Sequence, residues 1–179
     1  MIAQKKKCIV YSFGSHGDFS FEEGIIDRLG CEIHVFDFSS YTPQNKDDRL
    51  IFHRWGIAEQ DKLATINDEL VQFKSLPSIV GALGHENTVI DILKLDVEGC
   101  EFGILDDVAM WQQIEAMGTR FEQLQLEVHL IGVNRVNYQW MPPILIFSDE
   151  QIDDLFRVLH QQGYAIFHKE VNVNKGKTF

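Results

Sequence analysis

The sequence contains no run of about 18 apolar residues, and its N-terminus lacks the apolar region of a signal peptide. We therefore expect no membrane segment in this chain. The same absences predict a soluble protein that is cytoplasmic by default, and an anchor upstream of this sequence stays an open alternative.

Cysteine is scarce, with three residues in the whole chain. Cys8, Cys31 and Cys100 are odd in number and show no C-x-x-C spacing, which argues against a disulfide scaffold and against a zinc site. We expect all three cysteines to be reduced and to lie in the core.

Basic residues are also few, with 16 Lys and Arg against 27 Asp and Glu and a net charge of -11. This balance opposes binding to phosphate backbones, so no nucleic-acid partner is expected. The sequence also lacks a helical pair of histidines at i, i+4 and a G-x-S-x-G elbow. Hydrolase chemistry is therefore disfavoured.

What is present is a chain of 179 residues, 45% of them hydrophobic, which fits a single domain spanning 1–179. Apolar runs alternate with segments of helical periodicity, and glycines often separate them. The predicted strands are 8–13, 32–38, 50–55, 89–95, 123–130 and 164–173. The predicted helices begin near 21, 75, 108 and 148, and 131–147 is the longest irregular segment. This order predicts an α/β fold with a Rossmann-like parallel sheet and helices on both faces.

Helix-terminal signals support two of these helices. Ser75 is a typical N-cap, and Gly84 is a natural C-terminal stop. Ser148 and Gln151 form the pattern of a capping box, which precedes an apolar stripe closed by Gly163.

In a sheet of this kind, ligands bind beyond the carboxyl ends of the strands. The first predicted strand ends at a small-residue turn that contains Gly14 and Gly17, where backbone amides can approach a cofactor. Asp37 ends the second strand 23 residues after Gly14, close to the spacing at which an acid binds ribose hydroxyls. A dinucleotide fingerprint would need glycine in place of His16 and a small residue in place of Phe19. The missing glycine leaves less room for a pyrophosphate, whereas adenosylmethionine has no phosphate. The turn therefore favours methyl transfer over hydride transfer.

Two more strand ends carry groups that can do chemistry. Asp96, Glu98 and Glu101 follow the strand 89–95, where they could orient a sulfonium cofactor, act as a base or hold a metal. For Glu101, the acidic first turn of a helix is the simpler explanation. Period two places Glu127 and His129 on one face of the strand 123–130, and a histidine there is a candidate general base.

The assembled chain resembles the FkbM-like branch of the methyltransferase-like family of S-adenosylmethionine-dependent methyltransferases. The resemblance covers nearly the whole chain. It rests on residues 8–14, 17–18, 21–22, 30–37, 52–56, 74–76, 83–85, 90–99 and 126–129.

The resemblance implies an S-adenosyl-L-methionine cofactor and a small-molecule or glycan-like acceptor. It places Asp96, His129 and Glu127 at the reaction and Glu98, Glu127 and His129 on the acceptor side. The positions implied for the cofactor are Phe13, Gly14, Ser15, Gly17, Asp37, Phe38, Gly56, Ile57 and Asp96. It implies no metal, and it leaves the oligomeric state open, including the pairing of an edge strand with another chain.

The sequence departs from the family at two places. His16 stands where glycine is expected, and the chain is expected to end before the seventh strand of the methyltransferase sheet. Two alternatives therefore stay open: a catalytically degenerate methyltransferase fold that serves as a binding or scaffold protein, and a nicotinamide-dependent oxidoreductase.

Overall fold

The computed structural model describes residues 7–39, 41–44, 46–66, 68–129, 131–133 and 144–170, with the backbone alone described for 131–133, 144 and 145. The strands are β1 Ile9–Phe13, β2 Glu32–Phe36, β3 Leu50–His53, β4 Trp55–Ile57, β5 Lys62–Ile66, β6 Glu69–Lys74, β7 Val89–Leu95, β8 Arg120–Leu126, β9 Ile131–Val133 and β10 Ile144–Ile146. The helices are α1 Ser20–Leu29, α2 Leu76–Leu83, α3 Glu101–Leu105, α4 Val108–Ala116 and α5 Asp149–Gln161.

The main sheet has five strands in the order β3-β2-β1-β7-β8, and every neighbouring pair is parallel. The chain moves outward from β1 to β2 and β3, then returns to the other side of β1 as β7. The boundary between β1 and β7 is therefore the topological switch point, where a parallel α/β sheet binds its ligands. The predicted α/β Rossmann-like fold class is confirmed.

Helices cover both faces of this sheet, which explains why β1 is buried along its whole length. Tyr11, Phe13 and Leu93 pack on the face that α2, α3, α4 and α5 cover. Val10 and Ile33 point to the opposite face, against α1. The core therefore holds the strand ends in fixed positions.

The predicted helix-terminal signals are confirmed. The Ser75 side chain accepts a hydrogen bond from the Ser78 amide, and Gly84 takes the left-handed conformation that ends α2. Ser148 and Gln151 form the reciprocal capping box of α5. Among the described residues, no helix is long and apolar enough to cross a bilayer.

The predicted third strand is divided into two elements. β3 belongs to the main sheet, whereas β4 leaves it at Arg54 and joins a three-stranded sheet in the order β4-β6-β5. The antiparallel pair β5 and β6 was not predicted, although two short alternating apolar runs flank the dipeptide Asn67-Asp68. Asp68 takes a positive φ of 64°, which a two-residue hairpin connection favours.

Two further predictions concern the C-terminal third. The segment predicted as irregular, 131–147, contains the antiparallel pair β9 and β10, and 134–143 lies outside the described residues. The final strand predicted at 164–173 is wrong for 164–170, which form no helix or strand. Ile166 and Phe167 are adjacent and both exposed, so this run does not present one apolar face to the sheet. Residues 171–173 lie outside the described residues.

The prediction of three reduced cysteines is wrong, because Cys8 and Cys31 form a disulfide. They directly precede the parallel strands β1 and β2, and the Glu32 amide donates to the Cys8 carbonyl at 2.9 Å. Their Cα atoms are 4.6 Å apart. Only Cys100 is free. Disulfides persist in oxidising compartments, so the bond between Cys8 and Cys31 weighs against the cytoplasmic default expected from the sequence.

Candidate active site

Polar segments follow four neighbouring strands at the carboxyl edge of the main sheet. Residues 14–18 follow β1, Asp37 follows β2, Asp96 follows β7, and Glu127 and His129 follow β8. Since these strands are parallel, their ends meet at one edge, and the structure brings the four segments together there. Glu127 and His129 come after β8 rather than within it, which differs from the sequence prediction.

Gly14 makes the closest contact between the two central strand ends. Its φ is +82°, and a Cβ atom built on it would lie 1.8 Å from the Asp96 carbonyl oxygen. The Gly14 amide donates to Phe36 at 3.2 Å, and the Asp96 amide donates to Phe13 at 3.3 Å. Only glycine can therefore occupy this position without moving the backbone of β1 or β7.

His16 and Gly17 continue the turn in left-handed conformations, with φ values of 45° and 87°. A Cβ atom on Gly17 would lie 3.0 Å from the Tyr41 ring. The positive φ of His16 explains why glycine would suit this position. Its exposed imidazole leaves the backbone path of the turn intact.

Asp37 is buried and serves first to hold this turn. One carboxylate oxygen accepts hydrogen bonds from the His16 amide at 2.7 Å and the Ser15 hydroxyl at 3.3 Å. The other accepts from the Ser39 amide at 2.7 Å. A carboxylate has about four acceptor positions, so one remains for a ribose hydroxyl. The predicted role in cofactor binding stays a prediction.

Glu101 organises the acidic turn after β7. From the sequence alone, it is explained only as an acidic residue in the first turn of a helix. Its side chain is fully buried, and its two oxygens accept the amides of Val97 at 2.8 Å and Gly99 at 2.7 Å. Oε1 also accepts a hydrogen bond from Nδ1 of His129 at 3.0 Å. The side chain therefore does more than complement the dipole of a helix, because it couples the turn after β7 to the residue after β8.

His129 lies at the centre of four acidic side chains. Its Nε2 atom is 3.8 Å from a carboxylate oxygen of each of Asp96, Glu98 and Glu127. The hydrogen bond to Glu101 is the largest cause that raises the pKa of His129 to about 9, and partial burial opposes it. The imidazole is therefore protonated at neutral pH, so the general-base role predicted from its reference pKa does not follow there.

Asp96 is a candidate base, and its role in the reaction stays a prediction. Burial is the largest cause that raises its pKa above the ordinary aspartate value. Lys94, which the sequence analysis did not single out, lies 3.8 Å from Oδ2 of Asp96 and 3.4 Å from the Phe13 carbonyl oxygen. The sequence does contain a signal for this contact. Lys94 lies two positions before Asp96, and alternate residues of a strand share a face.

The apolar positions assigned to the cofactor divide into two groups. The Phe13 ring is buried against Phe36, so only its backbone reaches the strand end. Phe38 and Gly56 both approach the Phe73 ring, which a Cβ atom on Gly56 would meet at 2.2 Å. Ile57 is buried in the core. Packing accounts for Gly56 and Ile57, and Phe38 is half-buried against the Phe73 ring.

Asp96, Glu127 and His129 offer ligand atoms that all lie within 4.8 Å of one another. A histidine must be neutral to bind a metal ion, whereas the pKa of His129 is raised to about 9. A proton therefore competes with any cation at neutral pH. The expectation that the reaction needs no metal stays a prediction.

Comparisons with known proteins agree with this architecture. A family described as "Methyltransferase domain" matches residues 1–179. The human protein named "Probable methyltransferase-like protein 24" is 27% identical over 183 residues, covering 98% of this chain and 46% of the relative. The rat protein of the same name is 26% identical over 181 residues, covering 97% of this chain and 46% of the relative. The chain thus spans about half the length of these relatives, and no solved structure matches it significantly.

Gly14→Ala is expected to destabilise the fold much more than Gly84→Ala. Both glycines have positive φ, but a Cβ atom on Gly84 meets nothing within 4 Å. Gly84→Ala should cost about 1–2 kcal/mol for the left-handed backbone alone. Gly14→Ala should cost a further 1–3 kcal/mol, roughly, for overpacking. Urea unfolding of both variants measures the difference, and equal losses would contradict the contact between Gly14 and Asp96.

His129→Gln is expected to change how stability depends on pH. The pKa of His129 is raised from 6.5 to about 9, so its contribution is fully present below pH 6.5 and is lost as pH rises through about 9. The free energy of unfolding of the native protein, minus that of the variant, should fall by about 3 kcal/mol across this window. His160→Gln, an exposed histidine on α5, provides the baseline. A difference that stays constant from pH 6 to 10 would contradict the acidic environment of His129.

Proposed function

Because the chain belongs to the methyltransferase domain family, we propose that it is an S-adenosylmethionine-dependent methyltransferase that transfers the methyl group to an acceptor oxygen. The observation that carries the proposal is the meeting of the Gly14 turn, Asp37 and the acidic cluster around Asp96 at the switch point of the sheet.

The residues present fit an adenosyl cofactor. Gly14 lets the turn at 14–17 approach the Asp96 backbone closely, and Asp37 keeps one acceptor position on its carboxylate. The Phe38 ring beside Asp37 offers an apolar surface of the kind that an adenine base stacks on.

The charges of the site favour a cationic ligand. Four carboxyl groups surround two cationic groups at the ends of β7 and β8, which leaves an excess of negative charge for a sulfonium. The acidic residues are Asp96, Glu98, Glu101 and Glu127, and the cationic ones are Lys94 and His129. A phosphate-bearing cofactor would meet repulsion here, which disfavours a nicotinamide dinucleotide.

The cofactor, when bound, supplies an electrophilic methyl group that an acceptor oxygen attacks in line. Asp96 accepts the proton of that hydroxyl, since burial raises its pKa and makes it a stronger base than an ordinary aspartate. His129 is held by Glu101 and stays protonated, so it orients Asp96 and the acceptor. Much of the rate enhancement comes from this positioning.

Glu98 and Glu127 define the acceptor side of the proposal. Their carboxylates are 55% and 41% exposed, and both lie 3.8 Å from Nε2 of His129. Exposed carboxylates accept hydrogen bonds from hydroxyl groups, so a polar small molecule or a glycan-like acceptor suits this edge. An anionic nucleic acid does not.

Calorimetry with S-adenosylhomocysteine tests the cofactor site. Asp37→Ala should weaken binding by about 10- to 100-fold, the range for losing a hydrogen bond to a charged group. Asp153→Ala, an exposed acid on α5, should bind like the native protein. Asp37→Asn keeps the shape of the side chain in case the alanine variant unfolds. Absence of binding to folded native protein, or equal affinity for all three variants, would overturn the proposal.

Turnover separates an enzyme from a binding protein. Release of S-adenosylhomocysteine from S-adenosylmethionine should depend on a hydroxylated acceptor and fall by about 10²- to 10⁴-fold in Asp96→Asn. His16, which stands where the resemblance leads us to expect glycine, is the observation that favours a degenerate, binding-only protein. Tight binding without turnover on hydroxylated small molecules or glycans would support that second function.

A further inference from the structure

A second cluster of ionisable groups lies on the face of the main sheet that α2 covers. Glu32 begins β2, His34 lies two residues later on the same face, and His85 follows the glycine that ends α2. One ligand atom from each of the three residues lies within 4.8 Å of the others. None of these residues has a part in the proposed methyl transfer.

The spacing of the first two ligand atoms matches a metal site. Nε2 of His34 and Oε1 of Glu32 are 3.4 Å apart. Two ligands placed 2.0–2.1 Å from one tetrahedral zinc ion are separated by about 3.3–3.4 Å. The pair is therefore already at the separation that the ion requires, and the ligand atom of His85 lies within 4.8 Å of both.

Hydrogen bonds anchor the atoms of the cluster that would not bind the ion. Nδ1 of His34 is 2.9 Å from Nε2 of His53, and Nδ1 of His85 is 2.8 Å from the Tyr11 hydroxyl. These bonds leave Nε2 of each imidazole for a ligand. Histidines that bind metal ions are oriented in this way by a partner on the other ring nitrogen.

Glu32 is anchored in the same manner. Its Oε2 atom forms an ion pair with Nζ of Lys7 at 2.7 Å, and its Oε1 atom lies 3.4 Å from Nε2 of His34. The lysine fixes the rotamer of the carboxylate and keeps one oxygen directed toward the imidazoles. Each of the three ligand side chains is therefore held by a different neighbour: His34 by His53, His85 by Tyr11 and Glu32 by Lys7.

The surroundings also favour the form of histidine that binds metals. Burial is the largest cause that lowers the pKa of His34 to about 4, and it lowers the pKa of His85 as well. Both imidazoles are therefore neutral at physiological pH. In this respect the cluster is the opposite of the acidic site, where His129 is protonated.

We propose that Glu32, His34 and His85 form a zinc-binding site, with water as the fourth ligand. Two imidazoles and one carboxylate form a ligand set that suits Zn²⁺ and does not suit Mg²⁺ or Ca²⁺. The ion would tie β2 to the segment between α2 and β7. The cluster sits at the amino end of β2, away from the strand ends that form the candidate active site.

Calorimetry with ZnCl₂ on untagged, metal-free protein tests the site. We expect one zinc ion per chain and no detectable binding of Mg²⁺. At a free zinc concentration about 100 times the Kd, the Tm should rise by roughly 5–10 °C. Binding at more than one site per chain with no effect on Tm would indicate surface histidines only and would overturn the proposal.

Four substitutions locate the ion. His85→Gln and Glu32→Gln remove ligands whose side chains are partly exposed, so both variants should fold and should lose the high-affinity zinc. His160→Gln, on the exposed side of α5, should keep it. His129→Gln should also keep it. Loss of zinc in His129→Gln but not in His85→Gln would place the ion in the acidic site and contradict the proposal.

Discussion

The close approach of the turn after β1 to the carboxyl end of β7 is the constraint on which the candidate site depends. Gly14 rests against the Asp96 carbonyl because it has no side chain, and paired strands on both sides hold the two segments in place. This contact brings the amides of the turn and the Asp96 carboxylate to one edge. A larger residue at Gly14 would separate the turn that we propose for the cofactor from the acid that we propose for the chemistry.

A second layer of structure fixes the electrostatics. Glu101 is a buried acid whose cost of burial is offset by two backbone amides and by the imidazole of His129. The same bonds make His129 a cation at neutral pH. In the proposed reaction, Asp96 is therefore the group that takes the proton, and His129 acts on it through position and charge. Glu101 holds Nδ1 of His129, which leaves Nε2 of the same ring directed toward Asp96.

The sequence predicted the fold class and most helix ends, because periodicity, glycine stops and the capping pairs at Ser75 and Ser148 are local signals. It also placed Asp37 and Asp96 correctly at strand ends. The disulfide between Cys8 and Cys31 was missed because it depends on which strands become neighbours. The protonation of His129 was missed for the same reason, since its partner Glu101 lies 28 residues away.

The most direct measurement is the structure of crystals grown with S-adenosylhomocysteine. The account predicts its ribose within hydrogen-bonding distance of Asp37 and its sulfur at the strand end beside Gly14 and Asp96, facing the cluster around His129. Density for the ligand elsewhere on the protein would contradict the central claim. So would the absence of ligand density at this strand edge in crystals grown at saturating ligand.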